Sequence, residues 1–190
     1  PKRLYIMSDK FSDRYVAHYG LRTRNLQPMI DWYAKFFDAR IQHDLGFGVF
    51  MTWDEDHHRL VIWSDEETTE RVATGAGVDH IGIGLPGFES LIDHYDRLKA
   101  KGISPDLSVN HLFSTSFYYH DPDGNEVELT VDNMSSKAEC SEFLTGERMN
   151  ELSPPFFGYQ FEPADMANAV RSGLSLPDIA RFGAPDGSPS

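Results

Sequence analysis

The stretch HYGLRTRNLQPMIDWYAKFFDARI, residues 18–41, recurs without a gap as HIGIGLPGFESLIDHYDRLKAKGI, residues 80–103. Identical residues occupy six of the paired positions: His18/His80, Gly20/Gly82, Ile30/Ile92, Asp31/Asp93, Tyr33/Tyr95 and Ile41/Ile103. Ordinary residue frequencies would give about one or two identities over such a length. The chain therefore contains an internal repeat, and the repeat decides how its other segments are interpreted.

Both copies of the repeat predict the same order of elements. Apolar side chains recur with helical spacing at Leu26, Met29, Ile30 and Tyr33 in the first copy and at Phe88, Leu91, Ile92 and Tyr95 in the second. Three strand-like runs follow each helix, at about 40–44, 47–53 and 59–64 and at about 104–109, 115–120 and 126–131. With the apolar stretch that opens each copy, the order is strand, helix, strand, strand, strand.

This order predicts an α+β fold of two tandem βαβββ modules, at about 14–66 and 78–134. We expect their strands to form one curved eight-stranded mixed sheet around a metal site, with the helices outside and the functional site in the concave face. The domain would span 1–134. Residues 135–190 are rich in Pro, Gly and Ser, contain one predicted helix at 163–172, and otherwise predict an irregular C-terminal extension.

The composition is that of a globular protein with an acidic surface. Thirty acidic residues face 17 basic ones, for a net charge of −13, so a nucleic-acid partner is not expected because few cations are available to replace phosphate counterions. We find neither a basic-then-apolar leader nor an apolar run of about 18 residues, and Cys140 is the single cysteine. These features predict a cytoplasmic protein without membrane association.

The repeat also pairs two histidines. His18 and His80 stand at equivalent positions near the first strand of each copy, so both are expected to project into the concave face. Glu128 lies in the alternating run EVELTV, where it faces away from the apolar residues that pack against helices. Two imidazoles and one carboxylate on one side of a metal leave open positions, an arrangement that suits Fe(II), with Mn(II) as the alternative.

A fourth protein ligand would change this interpretation. Aligning the two acidic turns places Val61 at the position equivalent to Glu128, whereas the unshifted repeat would place Glu66 there. We interpret Glu66 as part of a solvated turn beyond the strand. A closed set of four ligands would instead favour a Lewis-acid enzyme that uses one bound water.

Four motifs carry a resemblance to a known family: HYGLRT at 18–23, DHHRL at 56–60, DHIG at 79–82 and SFYYHDPDGNEVEL at 116–129. Through them, residues 14–134 resemble the single-domain type I extradiol ring-cleavage dioxygenases, the biphenyl-2,3-diol 1,2-dioxygenase-like enzymes of the vicinal oxygen chelate superfamily. The resemblance implies that His18, His80 and Glu128 bind Fe(II). It also implies that a catechol chelates the iron through both oxygens and that dioxygen takes a remaining position.

The resemblance assigns roles to three further residues. His58 would move a proton during the reaction, Tyr118 would hold a substrate oxygen or assist ring expansion, and His111 would lie in the pocket near a substrate hydroxyl. From the residues alone, His57-His58 also fits a polar turn before a strand, and Tyr118 fits an ordinary strand aromatic.

Two other functions stay open at this point. A glyoxalase-type isomerase or thiol transferase would keep a metal but require the fourth ligand, and a metal-free drug-binding resistance protein would require no ligand triad. The expected partners of the leading interpretation are a small aromatic diol and dioxygen, and we expect a homo-oligomer.

Overall fold

The computed structural model describes residues 15–72, 74–152 and 157–184. The chain divides into two compact units, Pro1–Glu70 and Arg71–Ser190, and each contains one copy of the repeat. Both copies have the predicted order of strand, helix and three strands, so the α+β class and the βαβββ modules are confirmed. The domain boundary at residue 134 stays a prediction.

The first unit is a four-stranded mixed sheet with one helix. Its elements are β1 (Tyr19–Arg22), α1 (Leu26–Phe37), β2 (Arg40–Asp44), β3 (Gly48–Thr52) and β4 (Leu60–Trp63). The strand order is β1-β4-β3-β2, in which β1 runs parallel to β4 and the other pairs are antiparallel. The parallel pair places the segment just before β1 beside the loop that leads into β4.

The core of this unit forms because the apolar stripe of α1 meets one face of the sheet. The helix buries Met29, Ile30, Tyr33 and Phe36, and the central strands bury Val49, Met51, Leu60 and Ile62. Each of these aliphatic or aromatic side chains contributes about 1.5–3 kcal/mol when fully buried. Alternation along β3 and β4 leaves Phe50 and Val61 on the opposite face.

The second unit repeats this plan and adds a strand. Its elements are β5 (His80–Gly84), α2 (Phe88–Ala100), β6 (Leu107–Asn110), β7 (Ser114–His120) and β8 (Glu126–Asp132). The strand order is β5-β8-β7-β6-β9, and β9 (Tyr159–Gln160) pairs antiparallel with β6. All eight predicted strands are present, but in the part of the chain that the structure describes they form two mixed sheets of four and five strands instead of the single eight-stranded sheet expected from the sequence. The additional strand, β9, belongs to the C-terminal extension.

The turn between β7 and β8 is the one predicted at Asp121-Pro122-Asp123-Gly124. The buried Asp121 carboxylate accepts hydrogen bonds from the backbone N–H groups of Asp123 (3.0 Å) and Asn125 (2.8 Å). Gly124 has φ +77°, a conformation that glycine adopts without steric cost. This turn sets the register in which β8 follows β7.

The C-terminal extension is more regular than expected. The predicted helix is confirmed as α4 (Pro163–Arg171), but the expectation of an otherwise irregular extension is wrong. Besides β9, the extension contains α3 (Lys137–Thr145), a 3-10 helix (Glu147–Glu151) and α5 (Leu176–Ile179). The signal for α3 was the sequence SKAE, a capping box in which Ser136 Oγ accepts from the Glu139 backbone N–H at 3.2 Å.

The helices of this chain are short. Within the described ranges, none combines the length and the apolar character that crossing a bilayer requires.

Candidate active site

Strand pairing brings His80 and Glu128 together. In the parallel β5–β8 pair, Gly82 lies opposite Glu128 and His80 lies opposite Glu126. Residues two apart share a face, so the side chains of His80 and Glu128 extend from the same side of the sheet. His80 Nε2 lies 3.3 Å from Glu128 Oε2, and the Glu128 side chain is only 12% exposed.

A glycine at position 82 leaves the space that the carboxylate occupies. A Cβ atom built there would lie 2.8 Å from Glu128 Oε2, closer than ordinary contact allows. The glycine repeated at positions 20 and 82 is therefore used differently in the two copies. Gly20 pairs with Val61, which has no side-chain ligand atom.

The same pairing settles the alignment of the two copies. Val61 stands opposite Gly20 just as Glu128 stands opposite Gly82, so Val61 is the equivalent of Glu128. Glu66 is an exposed residue beyond the end of β4, as the sequence analysis interpreted it. The strand register thus offers no support for a fourth ligand at this position.

Asp79 fixes the tautomer of His80. Asp79 Oδ2 lies 3.1 Å from His80 Nδ1, and a carboxylate can only accept, so Nδ1 carries the proton. The lone pair is then on Nε2, the atom that faces Glu128. Carboxylates commonly orient ligating histidines in this way.

The donor set fits a divalent metal. Two adjacent ligands about 2.1 Å from one ion lie about 3 Å apart, close to the separation of His80 Nε2 and Glu128 Oε2. A nearly buried carboxylate also requires compensating charge or hydrogen bonds. In addition, Asp79, His80 and Glu126 offer ligand atoms within 4.8 Å of one another, so a possible histidine–carboxylate metal site exists in this unit.

Tyr118 is held beside this pair. It lies directly opposite Glu128 in the antiparallel β7–β8 pair and donates from Oη to Glu128 Oε1 at 3.1 Å. Burial raises the pKa of Tyr118 well above its ordinary value, and the neighbouring Glu128 carboxylate adds to the increase. The phenol is therefore protonated throughout the physiological pH range.

His111 extends the network by one residue. It follows β6 directly, and its Nε2 lies 3.0 Å from Tyr118 Oη. Its other ring nitrogen, Nδ1, lies 2.8 Å from the backbone oxygen of Phe157 in the extension. His80, Glu128, Tyr118 and His111 thus form one continuous chain of polar contacts within the second unit.

The first unit brings His18 and His58 together. His18 precedes β1 and His58 precedes β4, and their ring centroids lie 4.4 Å apart. The edge of the Phe50 ring packs against His58 at 5.2 Å between centroids. Partial burial lowers the pKa of His58, and the imidazoles of His18 and His57 lower it further while Asp56 opposes them.

Arg59 anchors the loop that carries His58, a role that the sequence alone did not indicate. Arg59 pairs with Asp54 (Nε to Oδ2, 2.9 Å) and with Asp56, and it donates to the backbone oxygen of Ala17 at 3.2 Å. This guanidinium therefore links the loop to the segment that carries His18. The sequence feature that could have indicated this role is the presence of two aspartates, Asp54 and Asp56, and one arginine, Arg59, within one short loop.

The structure thus places the six predicted residues in two groups. His18 and His58 lie together in the first unit, and His80, Glu128, Tyr118 and His111 lie together in the second. Asp79, Gly82 and the Phe157 carbonyl support the second group, and the sequence alone did not assign a role to any of them. The convergence of both groups on one metal stays a prediction.

Comparison with known proteins identifies the class. The family model of the Glyoxalase/Bleomycin resistance protein/Dioxygenase superfamily matches residues 15–129, more than half of the chain. The chain therefore belongs to this superfamily. In fold it resembles a glyoxylase/bleomycin resistance protein/dioxygenase domain from Frankia sp. EAN1pec, with a TM-score of 0.54 and 18% identity over 65% of this chain and 95% of that one.

Two curated relatives narrow the family. The chain is 35% identical over 161 residues to biphenyl-2,3-diol 1,2-dioxygenase 3 of Rhodococcus globerulus, covering 84% of this chain and 83% of the relative. It is 36% identical over 165 residues to biphenyl-2,3-diol 1,2-dioxygenase 2 of the same organism, covering 86% and 85%. Within the superfamily, the chain belongs with the extradiol ring-cleavage dioxygenases, which are oxidoreductases.

Proposed function

We propose that this extradiol dioxygenase is Fe(II)-dependent and opens a small catecholic ring beside its two hydroxyl groups. The observation that carries the proposal is the contact chain His80–Glu128–Tyr118–His111. It combines a candidate ligand pair with two hydrogen-bonding groups on adjacent strands. The identity to two enzymes named for biphenyl-2,3-diol supports an aromatic diol as the substrate class.

His18, His80 and Glu128 are the residues that would hold the metal. When bound, Fe(II), or Mn(II) in its place, supplies open positions for a chelating diol and for dioxygen. Within the second unit, Asp79 keeps His80 in the tautomer whose Nε2 is free to ligate. Gly82 leaves room for the Glu128 carboxylate, and Tyr118 holds its second oxygen.

His58 is the proposed proton carrier. A lowered pKa keeps its imidazole neutral near pH 7, so one ring nitrogen can accept a proton from a substrate hydroxyl. The protonated ring can return that proton to an oxygen later in the reaction. Phe50 and the Arg59-anchored loop hold the ring in place.

Tyr118 and His111 form a second hydrogen-bonding group, within the second unit. The raised pKa of Tyr118 keeps its hydroxyl protonated, so its single proton can be donated either to Glu128, as in this structure, or to a substrate oxygen in its place. His111 Nε2 is within hydrogen-bond distance of Tyr118 Oη and so restricts its orientation. Burial of Tyr118 excludes water from this contact.

Iron reconstitution under anaerobic conditions tests the proposal. We expect about one iron per chain and oxygen uptake with members of a catechol panel, accompanied by yellow ring-opened products. Glu66→Ala is the matched control, because this exposed carboxylate should be dispensable for metal binding and activity, whereas Glu128→Ala should lose both.

Other outcomes would overturn the proposal in distinct ways. Bound iron without oxygen uptake for any catechol would point to a glyoxalase-type isomerase or thiol transferase. Loss of metal in Glu66→Ala would do the same. Absence of metal binding would point to a drug-binding protein of the superfamily. The homo-oligomeric state and the cytoplasmic location stay predictions.

A further inference from the structure

The C-terminal extension reaches a residue of the candidate active site through its backbone. Strand β9 pairs with β6, the strand that leads directly to His111. Just before β9, the backbone oxygen of Phe157 lies 2.8 Å from His111 Nδ1. Phe157 lies beyond residues 15–129, the part matched by the superfamily model.

This contact determines which nitrogen of His111 carries a proton. A backbone oxygen can only accept a hydrogen bond, so Nδ1 must donate. In the neutral ring the lone pair then belongs to Nε2, which lies 3.0 Å from Tyr118 Oη, so His111 Nε2 and Glu128 Oε1 are alternative acceptors for the one hydroxyl proton of Tyr118. The opposite tautomer would turn the Nδ1 lone pair toward the Phe157 oxygen, an unfavourable contact.

The backbone on both sides of this contact is strained. Leu112, immediately after His111, has φ +67°, and Phe157 has φ +48°. Bulky residues rarely adopt this left-handed region, and they do so where the surrounding structure over-determines them. Two such residues at one hydrogen bond indicate a contact that the fold maintains.

Asn110 supplies that support. Its fully buried side chain accepts from the Leu112 N–H at 2.9 Å and from Asn133 Nδ2 at 2.9 Å. Its own Nδ2 donates to the backbone oxygens of Ile179 (2.9 Å) and Phe182 (3.0 Å). One amide thus fixes the left-handed residue next to His111 and binds the backbone of the extension at Ile179 and Phe182.

Gly158 permits the close approach of the extension. A Cβ atom at this position would lie 2.4 Å from the Asn110 backbone oxygen and 2.7 Å from Val109 Cγ1. Because the first of these atoms belongs to the backbone of β6, the clash could be relieved only by moving one strand away from the other. Any side chain at position 158 would therefore displace the neighbouring Phe157 carbonyl.

We propose that the C-terminal extension is a working part of the active site, in which the Phe157 carbonyl fixes His111 as its Nδ1–H tautomer, so that His111 Nε2 is an alternative acceptor to Glu128 Oε1 for the single hydroxyl proton of Tyr118. Gly158 and Asn110 are positioning residues for this contact. The consequence for catalysis rests on the proposed dioxygenase function, but the tautomer is a property of the metal-free chain.

Long-range ¹H–¹⁵N correlation spectra of histidine-labelled, metal-free protein test the proposal at a pH where His111 is neutral. The His111 signals are identified by their loss in His111→Gln. We expect wild type to show the Nδ1–H tautomer, and Gly158→Ala to show a mixture of tautomers. Gly87→Ala is the control, because a Cβ there meets nothing within 4 Å, and its His111 signals should match those of wild type.

The kinetic readout follows in the iron-loaded enzyme. Gly158→Ala should lower kcat by about 10- to 100-fold, as misplacement of a group near the reacting atoms does, while the iron content stays at the wild-type level. Gly87→Ala should retain wild-type kcat.

Several results would overturn the proposal. A wild-type His111 in the Nε2–H form would do so even if Gly158→Ala failed to fold, and so would an unchanged tautomer in a folded Gly158→Ala. Absence of oxygen uptake by the wild-type enzyme would contradict the proposed function and leave the tautomer measurement intact, so the two failures are distinguishable.

Discussion

At the scale of single residues, the environment of each histidine separates its role from those of the others. Asp79 holds the Nδ1 proton of His80, the Phe157 carbonyl holds that of His111, and His58 packs among two imidazoles and the Phe50 ring. The first two are thereby fixed in tautomer. The third has a lowered pKa, which suits proton acceptance near neutral pH.

The lowered pKa of His58 predicts the acid side of the pH profile. His58 accepts a proton only when neutral, so kcat/KM should be constant near pH 7 and fall as the pH drops through the His58 pKa, which is lowered from that of an ordinary histidine. Steady-state oxygen uptake between pH 5 and 8 measures this limb. His58→Gln should keep the metal, lose the limb and reduce turnover by about 100-fold.

The neighbouring variant His57→Gln provides a second test of the His58 assignment. The His57 imidazole lowers the pKa of His58, so its removal should move the acid limb upward toward pH 6.5 with turnover retained. A limb unchanged in His58→Gln would show that another group controls it and would contradict the assignment.

At the scale of elements, the β5–β8 pairing is the feature that assembles the ligand pair. The equivalent β1–β4 pairing has the same parallel register, but with valine in place of glutamate. The β5–β8 pair therefore carries a candidate carboxylate ligand, whereas the β1–β4 pair carries none at the equivalent position. Glycine stands at the equivalent position in both copies, so the difference lies in Glu128 against Val61, and Gly82 leaves the room that the Glu128 carboxylate occupies.

The variant Gly82→Ala should weaken metal binding without lowering the stability of the fold. The added Cβ meets only the end of the Glu128 side chain, so the fold can adjust, but the carboxylate must leave its place beside His80. We expect a nearly unchanged Tm and metal affinity lower by about 10-fold or more, measured by anaerobic titration.

Gly84→Ala is the control on the same strand, because a Cβ there meets no atom within 4 Å. Equal losses of metal affinity in both variants would indicate a general effect on β5 and would contradict the role given to Gly82.

At the scale of the whole molecule, the proposed metal site draws on both copies of the repeat. His18 belongs to the first unit, whereas His80 and Glu128 belong to the second. Duplication of the module thus provides histidines at equivalent positions, His18 and His80.

This arrangement predicts that His18→Gln and His80→Gln lose iron to a similar extent, although the two residues lie 62 positions apart. Iron content after anaerobic reconstitution measures the loss, and circular dichroism should show both variants folded. His43→Gln, which changes an exposed histidine in β2, is the control and should retain iron. Full iron retention in His18→Gln would show that the second unit binds the metal without the first.

The sequence by itself determined the two modules, their element order and the equivalence of His18 with His80, because repeats and apolar periodicity are local signals. Strand alternation also identified Glu128 as a candidate ligand, and the acidic run around Glu66 indicated that this residue lies in a turn beyond the strand. It did not find α3 or β9, whose short segments carry little periodicity and depend on packing against the second module.

Only the tertiary structure decided which strands pair, and therefore that Gly82 faces Glu128 and that Tyr118 lies opposite it. It alone placed Asp79 and the Phe157 carbonyl on the ring nitrogens of His80 and His111. The physical reason is that the backbone oxygen of Phe157 is chemically the same as that of every other residue, so the sequence does not distinguish it. Its hydrogen bond to His111 depends on the long-range pairing of β9 with β6, which the pattern of side chains along the chain does not predict.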